Sequence, residues 1–332
     1  MRWPLADAPK AQGALFNEPI FEREPGRGEF RGLEFLHVRA RRIINEVPGE
    51  PRFGFRFTIN AYRGCSHACS YCFARPTHAY LDLGIDEDFE RKLVVKVNAV
   101  ERVRAELDPR RWGGDLIAMG TNTDPYQRCE GKYRLTQGIV EALIEFANPF
   151  SILTKSTLIL RDLDLLVEAV KRTDVSVALS IGTLDEEVWR TTEPGTPHPR
   201  QRMRAVERLN AAGVPCGVFV APILPGLSDR PDQIESVVRA ARNAGAASIS
   251  SVLLHLRPGV KEVFLDHLGA THPQLMPRYR RLYPGRRAYA PKAEQQRVAD
   301  IVRQFSDRPA HHRRETPVRV RRPSPPDQLS LL

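Results

Sequence analysis

The 332-residue chain has no run of eighteen or more apolar residues, so nothing in it reads as a membrane-spanning helix. Residues from Met1 to Phe16 lack an apolar stretch followed by a small-residue cleavage site, so secretion is not expected. Cysteine is scarce: there are five, an odd number, and three of them crowd into eight residues. That pattern argues against a disulfide framework and for a reducing cytoplasm and a metal. A strong excess of one charge is also lacking over most of the chain. The formal charge is +10, and the stretch from Arg308 to Pro326, with six arginines against Glu315, carries half of it. The remaining body is mildly basic, which tolerates nucleic acid as a partner without requiring it.

Four regions separate by composition. Residues 1–54 are rich in Pro, Gly and Arg and read as an N-terminal arm, with Glu22 to Arg31 as loop. Residues 55–260 alternate short apolar runs with amphipathic ones. Residues 261–306 read as a helical extension broken by Pro273, Pro277, Pro284 and Pro291, and residues 307–332 as a disordered Pro/Arg-rich tail. In the second region the expected strands are Phe55–Asn60, Leu116–Gly120, Ser151–Lys155, Val175–Ile181, Gly217–Ile223 and Ile249–His255. Helical spacing is found over Phe89–Leu107 (a stripe of Leu93, Val97, Val100 and Val103), Leu135–Phe146, Leu163–Val170, Arg202–Ala211 and Ile234–Asn243. Six strands alternating with helices imply an α/β fold with parallel strands and right-handed crossovers. Six such units are too few for a closed eight-unit barrel of about 250 residues, so an open, partial barrel is expected, with a flat doubly wound sheet as the competitor.

Cys65, Cys69 and Cys72 form C-x3-C-x2-C in the loop after the first of these strands. Thiolates are soft ligands for zinc, copper(I) or iron–sulfur clusters. Three thiolates on a [4Fe–4S] cluster leave one iron open to an outside ligand. The alternatives are a Cys3His zinc site completed by His67 or His78, and three buried thiols with no ligand role.

The cysteine spacing, with Tyr71 just before the last cysteine and the motif after the first strand of a partial barrel, resembles radical S-adenosylmethionine (SAM) enzymes. The resemblance implies a partial (β/α)6 radical SAM barrel and a [4Fe–4S] cluster on Cys65, Cys69 and Cys72. It further implies SAM bound at the open iron and cleaved reductively to a 5′-deoxyadenosyl radical that abstracts hydrogen from substrate. Further segments resemble the spore photoproduct lyase-like branch: Gly120-Thr121-Asn122-Thr123-Asp124 after the second strand, Thr154-Lys155-Ser156 after the third, Leu179-Ser180-Ile181 ending the fourth, and Pro222 to Asp229 after the fifth. By that resemblance Tyr71, Thr123, Asp124, Lys155 and Ser180 serve cofactor binding. All fall at C-terminal strand ends, where barrel active sites assemble. The run Glu193 to Pro197 with Arg202 also resembles that branch, which implies a contact of Arg202 with substrate or SAM. Plainer readings stand beside these: Asp124 before Pro125 as a turn starter, Lys155 as a solvated strand-end charge, and the run Glu193 to Pro197 with Arg202 as a loop and helix start.

The branch's hydrogen-donor cysteine has no counterpart here, since Thr121 and Asn122 fill that stretch. Cys129 could substitute or be structural, and Cys216 reads as core. The lyase reaction itself is therefore not expected, and DNA repair or modification stays open as the substrate field. A flavodoxin or ferredoxin is the expected reductant. The competing functions are a non-catalytic zinc protein that binds nucleic acid, and a simple iron–sulfur electron carrier. Finally, Gln328-Leu329-Ser330-Leu331-Leu332 resembles the short peptide by which bacterial polymerases and repair proteins dock on the sliding clamp, with Gln12 to Phe16 a poorer match. The basic tether upstream would favour nearby DNA.

Overall fold

A computed structural model describes residues 20–48 and 54–306. The strands are β1 (Glu22–Pro25), β2 (Glu34–Val38), β3 (Ile44–Glu46), β4 (Phe57–Ile59), β5 (Tyr62–Arg63), β6 (Lys92–Lys96), β7 (Ile117–Met119), β8 (Phe150–Thr154), β9 (Val175–Ser180), β10 (Cys216–Ile223) and β11 (Ile249–Leu253). Seven of them build one sheet in the order β11-β10-β9-β8-β7-β4-β3. The six expected strands pair in parallel throughout, and β3 is antiparallel to β4. This order never reverses. A doubly wound sheet requires a reversal at its switch point, whereas an unreversed order keeps every right-handed crossover on one face. The architecture is the partial barrel rather than its competitor, an open sheet with β11 and β3 at its ends.

The helices form where apolar residues recur every three to four positions. Leu135–Glu145, Leu163–Arg172, Pro199–Ala211 and Pro231–Asn243 bury Ile139, Leu143, Leu166, Val206, Leu209, Val237 and Val238 in the core. The last two helices open on proline, which suits a first turn whose N–H has no helical partner. The extension comprises helices Val260–Thr271, Met276–Leu282 and Lys292–Ser306. The last packs on β11 and on the helix Pro231–Asn243, so the open edge of the sheet is covered. Among the described residues no helix is long and apolar enough to cross a membrane.

Two expectations fail in the first third of the chain. Phe89–Leu107 is not one helix: a short helix, Glu87–Arg91, gives way to β6, and a second helix spans Ala99–Glu106. The run Lys92-Leu93-Val94-Val95-Lys96 fits either period, and adjacent β-branched residues favour the strand. Nor is Glu22 to Arg31 all loop, because β1 pairs antiparallel with β2. Together β1, β2, β6 and β5 form a second sheet in that order. Its faces alternate as a strand's must: Phe35, Leu93 and Val95 enter the main core, while Leu36, Val38 and Val94 pack with Leu81 and Leu83 on the other side. The basic tail and both clamp-like segments, Gln328–Leu332 and Gln12–Phe16, lie outside the described residues.

Candidate metal and cofactor site

The thiol loop begins two residues past β5, just beyond the C-terminal end of β4, and its backbone is held from three sides. From the small sheet's side, Cys65 N donates to Phe89 O at 2.9 Å. From the end of β7, the wholly buried Gln127 accepts from Ser66 N and donates to Gly64 O, each at 3.0 Å. Thr123 Oγ1 donates to the same Gly64 O at 2.7 Å. From the segment after β9, Ser70 N donates to Thr192 O and Gly195 N to His67 O, each at 3.0 Å. That approach requires glycine, because a Cβ at position 195 would lie 2.2 Å from Ser66 O. Arg75, 1% exposed, completes the cradle by donating from Nε and Nη2 to Cys69 O while pairing with Glu90.

Cys65, Cys69 and Cys72 are free of disulfides, and Cys65 and Cys69 are buried. Burial pushes all three thiols up; Asp124 adds to the effect on Cys65, Glu193 adds to it on Cys69, and Cys72 acts on both. The three groups are therefore close enough to sense one another. Yet among the described residues no three His, Cys, Asp or Glu side chains converge where a single ion would sit. His67 faces Asp124, with Nδ1 3.4 Å from Oδ2, and His78 Nε2 lies 2.9 Å from Lys92 O. Three free thiols in one loop are the donor set that a cluster takes, each thiolate on a different iron.

Beside the thiols lies a buried ionic knot. Lys155, the first residue after β8, donates from Nζ to Ser180 Oγ (2.8 Å), Glu193 Oε1 (2.9 Å) and Ala221 O (3.4 Å), and lies 5.6 Å from the Tyr71 ring centroid. Its charge lowers the pKa of both Cys69 and Cys72 against burial. Glu193 also accepts from the Tyr71 hydroxyl and from Arg202 Nη2 (2.6 Å). Burial pushes the Glu193 carboxyl up, but Arg202 and Lys155 outweigh it and hold the group well below the usual carboxylate range.

The structure thus brings Tyr71, Lys155 and Ser180 together, and places Thr123 and Asp124 under the loop. Asp124 is more than a turn starter. Its carboxylate accepts from Tyr126 N (2.9 Å), Thr154 Oγ1 (2.6 Å) and Lys155 N (2.7 Å), tying the end of β7 to the end of β8. Although burial opposes it, the neighbouring His67 and the hydrogen bonds from Lys155 N and Thr154 Oγ1 keep the Asp124 carboxyl low. Arg202 is bonded entirely within the protein here. It is 1% exposed and spends its donors on Pro197 O, Ser180 O, Thr196 Oγ1 and Glu193. Cys129 and Cys216 are wholly buried in the main core. The segment after β10 is fixed by Asp229, which accepts from Gly226 N (2.7 Å), Arg278 (2.5 Å) and Arg297 (2.8 Å) and so pins it to the helical extension. The sequence marks the run Glu193 to Pro197 without giving Glu193 itself a role, and residue pattern gives none to Gln127 or Arg75. A lone acid beside Pro-Gly and a lone Arg after a cysteine motif become functional only through partners distant in sequence.

The comparisons with known proteins agree with this geometry. An uncharacterised protein of Mycobacterium tuberculosis is 42% identical over 308 residues, covering 92% of this chain and 87% of its own length. A radical SAM Nα-GlyT isomerase of Pseudomonas phage M6 is 26% identical over 185 residues, 55% of this chain and 36% of that protein. Among solved structures, spore photoproduct lyase with a dinucleoside spore photoproduct matches with a TM-score of 0.59 at 19% identity, covering 85% of this chain and 82% of that one. A lyase structure that also holds S-adenosylmethionine matches with a TM-score of 0.57, covering 77% and 75%. The fold is therefore that of the lyase. The Radical SAM superfamily model matches residues 59–241, from the end of β4 through most of the helix after β10. Spanning more than half of the chain, and with the thiol loop inside its bounds, this match shows that the protein belongs to the radical SAM superfamily of enzymes.

Proposed function

We propose that Cys65, Cys69 and Cys72 hold a [4Fe–4S] cluster, that SAM binds beside it against Lys155, and that the radical made from SAM abstracts hydrogen from a nucleic acid. When bound, the cluster supplies the one electron that splits the sulfonium into methionine and the 5′-deoxyadenosyl radical. The carrying observation is the placement of Lys155, whose ammonium lies 5.6 Å from the ring of Tyr71, the residue before Cys72, and is held by Ser180 and Glu193 beside the cradled loop of three free thiols. Lys155 would exchange part of its present bonding for the SAM carboxylate, with Glu193 holding the ammonium in place. Ser180, accepting from Lys155 Nζ and donating to Ala221 O, orients the same nitrogen. Tyr71 and the burial around it exclude water from the reacting space.

Nucleic acid is favoured as substrate because the fold neighbour's solved structure holds a dinucleoside, and the mildly basic chain tolerates such a partner. The lyase reaction is not included, since Cys129 is sealed in the core. DNA repair or modification, cytoplasmic location, reduction by a flavodoxin or ferredoxin, and recruitment by the sliding clamp through Gln328–Leu332 belong to the same proposal. The test is anaerobic purification, iron and sulfide assay, then addition of dithionite and SAM. Expected is a brown protein that forms 5′-deoxyadenosine, with Cys69→Ala losing both colour and product. Stoichiometric zinc without iron would overturn the proposal, and a reduced cluster whose spectrum ignores SAM would indicate an electron carrier.

A further inference from the structure

Four large apolar side chains among the described residues are exposed, and two of them, Phe73 (39%) and Tyr289 (44%), flank a single imidazole, that of His255. Tyr289 stacks on His255 with ring centroids 5.5 Å apart and planes 18° from parallel, and Phe73 lies on it at 5.8 Å and 36°. The Arg257 guanidinium sits 5.8 Å from the Phe73 ring centroid. These side chains come from three remote parts of the chain: Phe73 directly follows Cys72, His255 lies two residues beyond the C-terminal end of β11, and Tyr289 precedes the last helix.

The backbone holds this row in place. His255 and Tyr289 form an isolated antiparallel bridge, and Leu256 N donates to Ala288 O at 2.7 Å. Lys261 Nζ donates to Tyr283 O and, at 2.6 Å, to Gly285 O, fixing the loop that leads to Tyr289. On the other side, position 259 approaches Pro76 and Ile85 closely enough that an added Cβ would lie 3.4 and 3.3 Å from their side chains. Two exposed aromatics are thus held rigidly against water at the rim of the thiol loop, where burial would have been the default for rings of this size. Burial and the nearby Arg257 charge lower His255 to a pKa of about 4, so its ring is neutral at neutral pH. Arg286 and Arg287, both exposed, immediately precede this row. Flat neutral rings beside cations are the combination that grips unpaired bases by stacking and their phosphates by charge.

We infer that Phe73, His255 and Tyr289, with Arg257, Arg286 and Arg287 beside them, form a stacking platform for an unpaired nucleobase of the substrate strand. The inference rests on the nucleic-acid substrate class proposed above and assigns it a surface. A base stacked on this row lies next to the residue that follows Cys72, so the platform presents the strand to the thiol loop. The neutrality of the row selects an unsaturated ring over an anion, and the arginines add sequence-independent attraction.

The test measures fluorescence anisotropy of a labelled oligothymidylate, and of an abasic strand of equal length, on the anaerobically prepared holoenzyme. Wild-type protein is expected to bind the base-bearing strand more tightly than the abasic one. Tyr289→Ala is expected to weaken the base-bearing strand by about five- to hundredfold, the span of one stacked base, and to leave the abasic strand unchanged. Tyr289→Trp should retain the preference, and Arg287→Ala should weaken both strands alike with a shallower salt dependence. Iron content and circular dichroism equal to wild type establish that each variant is folded. Equal affinity of the two strands for wild type, or no effect of Tyr289→Ala on a strand that does bind, overturns the platform and leaves the substrate class standing. Failure of the wild-type holoenzyme to bind either strand overturns the substrate class and the platform with it.

Discussion

Replacing Glu193 by Gln removes the one carboxylate on which Tyr71, Lys155 and Arg202 converge. Glu193 is 3% exposed and Arg202 1%, so no water takes over the lost charge. Breaking a buried pair by deleting one partner costs about 3–5 kcal/mol. With a urea slope of about 3 kcal/mol per molar, the unfolding midpoint should fall by about 1–1.7 M. The assay is urea unfolding followed by circular dichroism, with all proteins in the same metal state. The pH dependence gives a second readout. The Glu193 carboxyl is held low in the folded protein, so its contribution is full above the unfolded carboxyl's pKa of about 4.3 and is lost as pH falls below it toward the folded value. The gap between wild type and Glu193→Gln should therefore be constant near neutrality and close on acidification. Arg202→Met should cost less in the Glu193→Gln background than in wild type, because the buried cation is by then already without its partner. A midpoint shift below about 0.3 M, or a gap that ignores pH, would refute the assignment of Glu193 as the hub.

Other outcomes follow from the same geometry. Lys155→Met should keep iron and lower SAM affinity about ten- to hundredfold, the loss of a charged hydrogen bond; unchanged SAM titration would show that the lysine faces elsewhere. Asp124→Ala frees the ends of β7 and β8 at once, so it should weaken SAM binding and also lower the thermal midpoint, which calorimetry would register. Gly195→Ala drives a methyl into Ser66 O and should lower iron occupancy by loosening the loop from that side; full iron in this variant would mean the contact is dispensable. A peptide of residues 323–332 should bind the sliding clamp of the same organism in calorimetry, and Gln328→Ala with Leu331→Ala should abolish it.

Much of the main sheet is legible in the sequence because most of its parallel strands are short, largely buried apolar runs bounded by turn residues, β11 with its two serines being the exception. The small sheet is not. β1 is a polar edge strand that ends at Pro25, and the β-branched centre of β6 sits inside a window that also satisfies helical spacing. Only the partner strand β2, more than fifty residues before β6, decides the matter. The same divide runs through the site. The cysteines and Lys155 are visible because ligand chemistry and strand-end position constrain the residue type. The roles of Glu193 and Gln127 are not legible, although the Glu193 run is marked, because any acid or amide in a loop looks alike until its partners, drawn from far along the chain, are in place.

The two sheets are threaded alternately: β1 and β2 belong to the small one, β3 and β4 to the large one, β5 and β6 to the small one, and the remainder to the large one. The thiol loop lies on one of these returns, between β5 and β6. A chain cut down to the superfamily's matched span, starting at residue 59, would lose β2 and leave β6 with an open hydrogen-bonding edge against the loop it supports. Such a fragment should aggregate along that edge. The chain before the barrel thus supplies the strand that closes the edge of β6 beside the thiol loop.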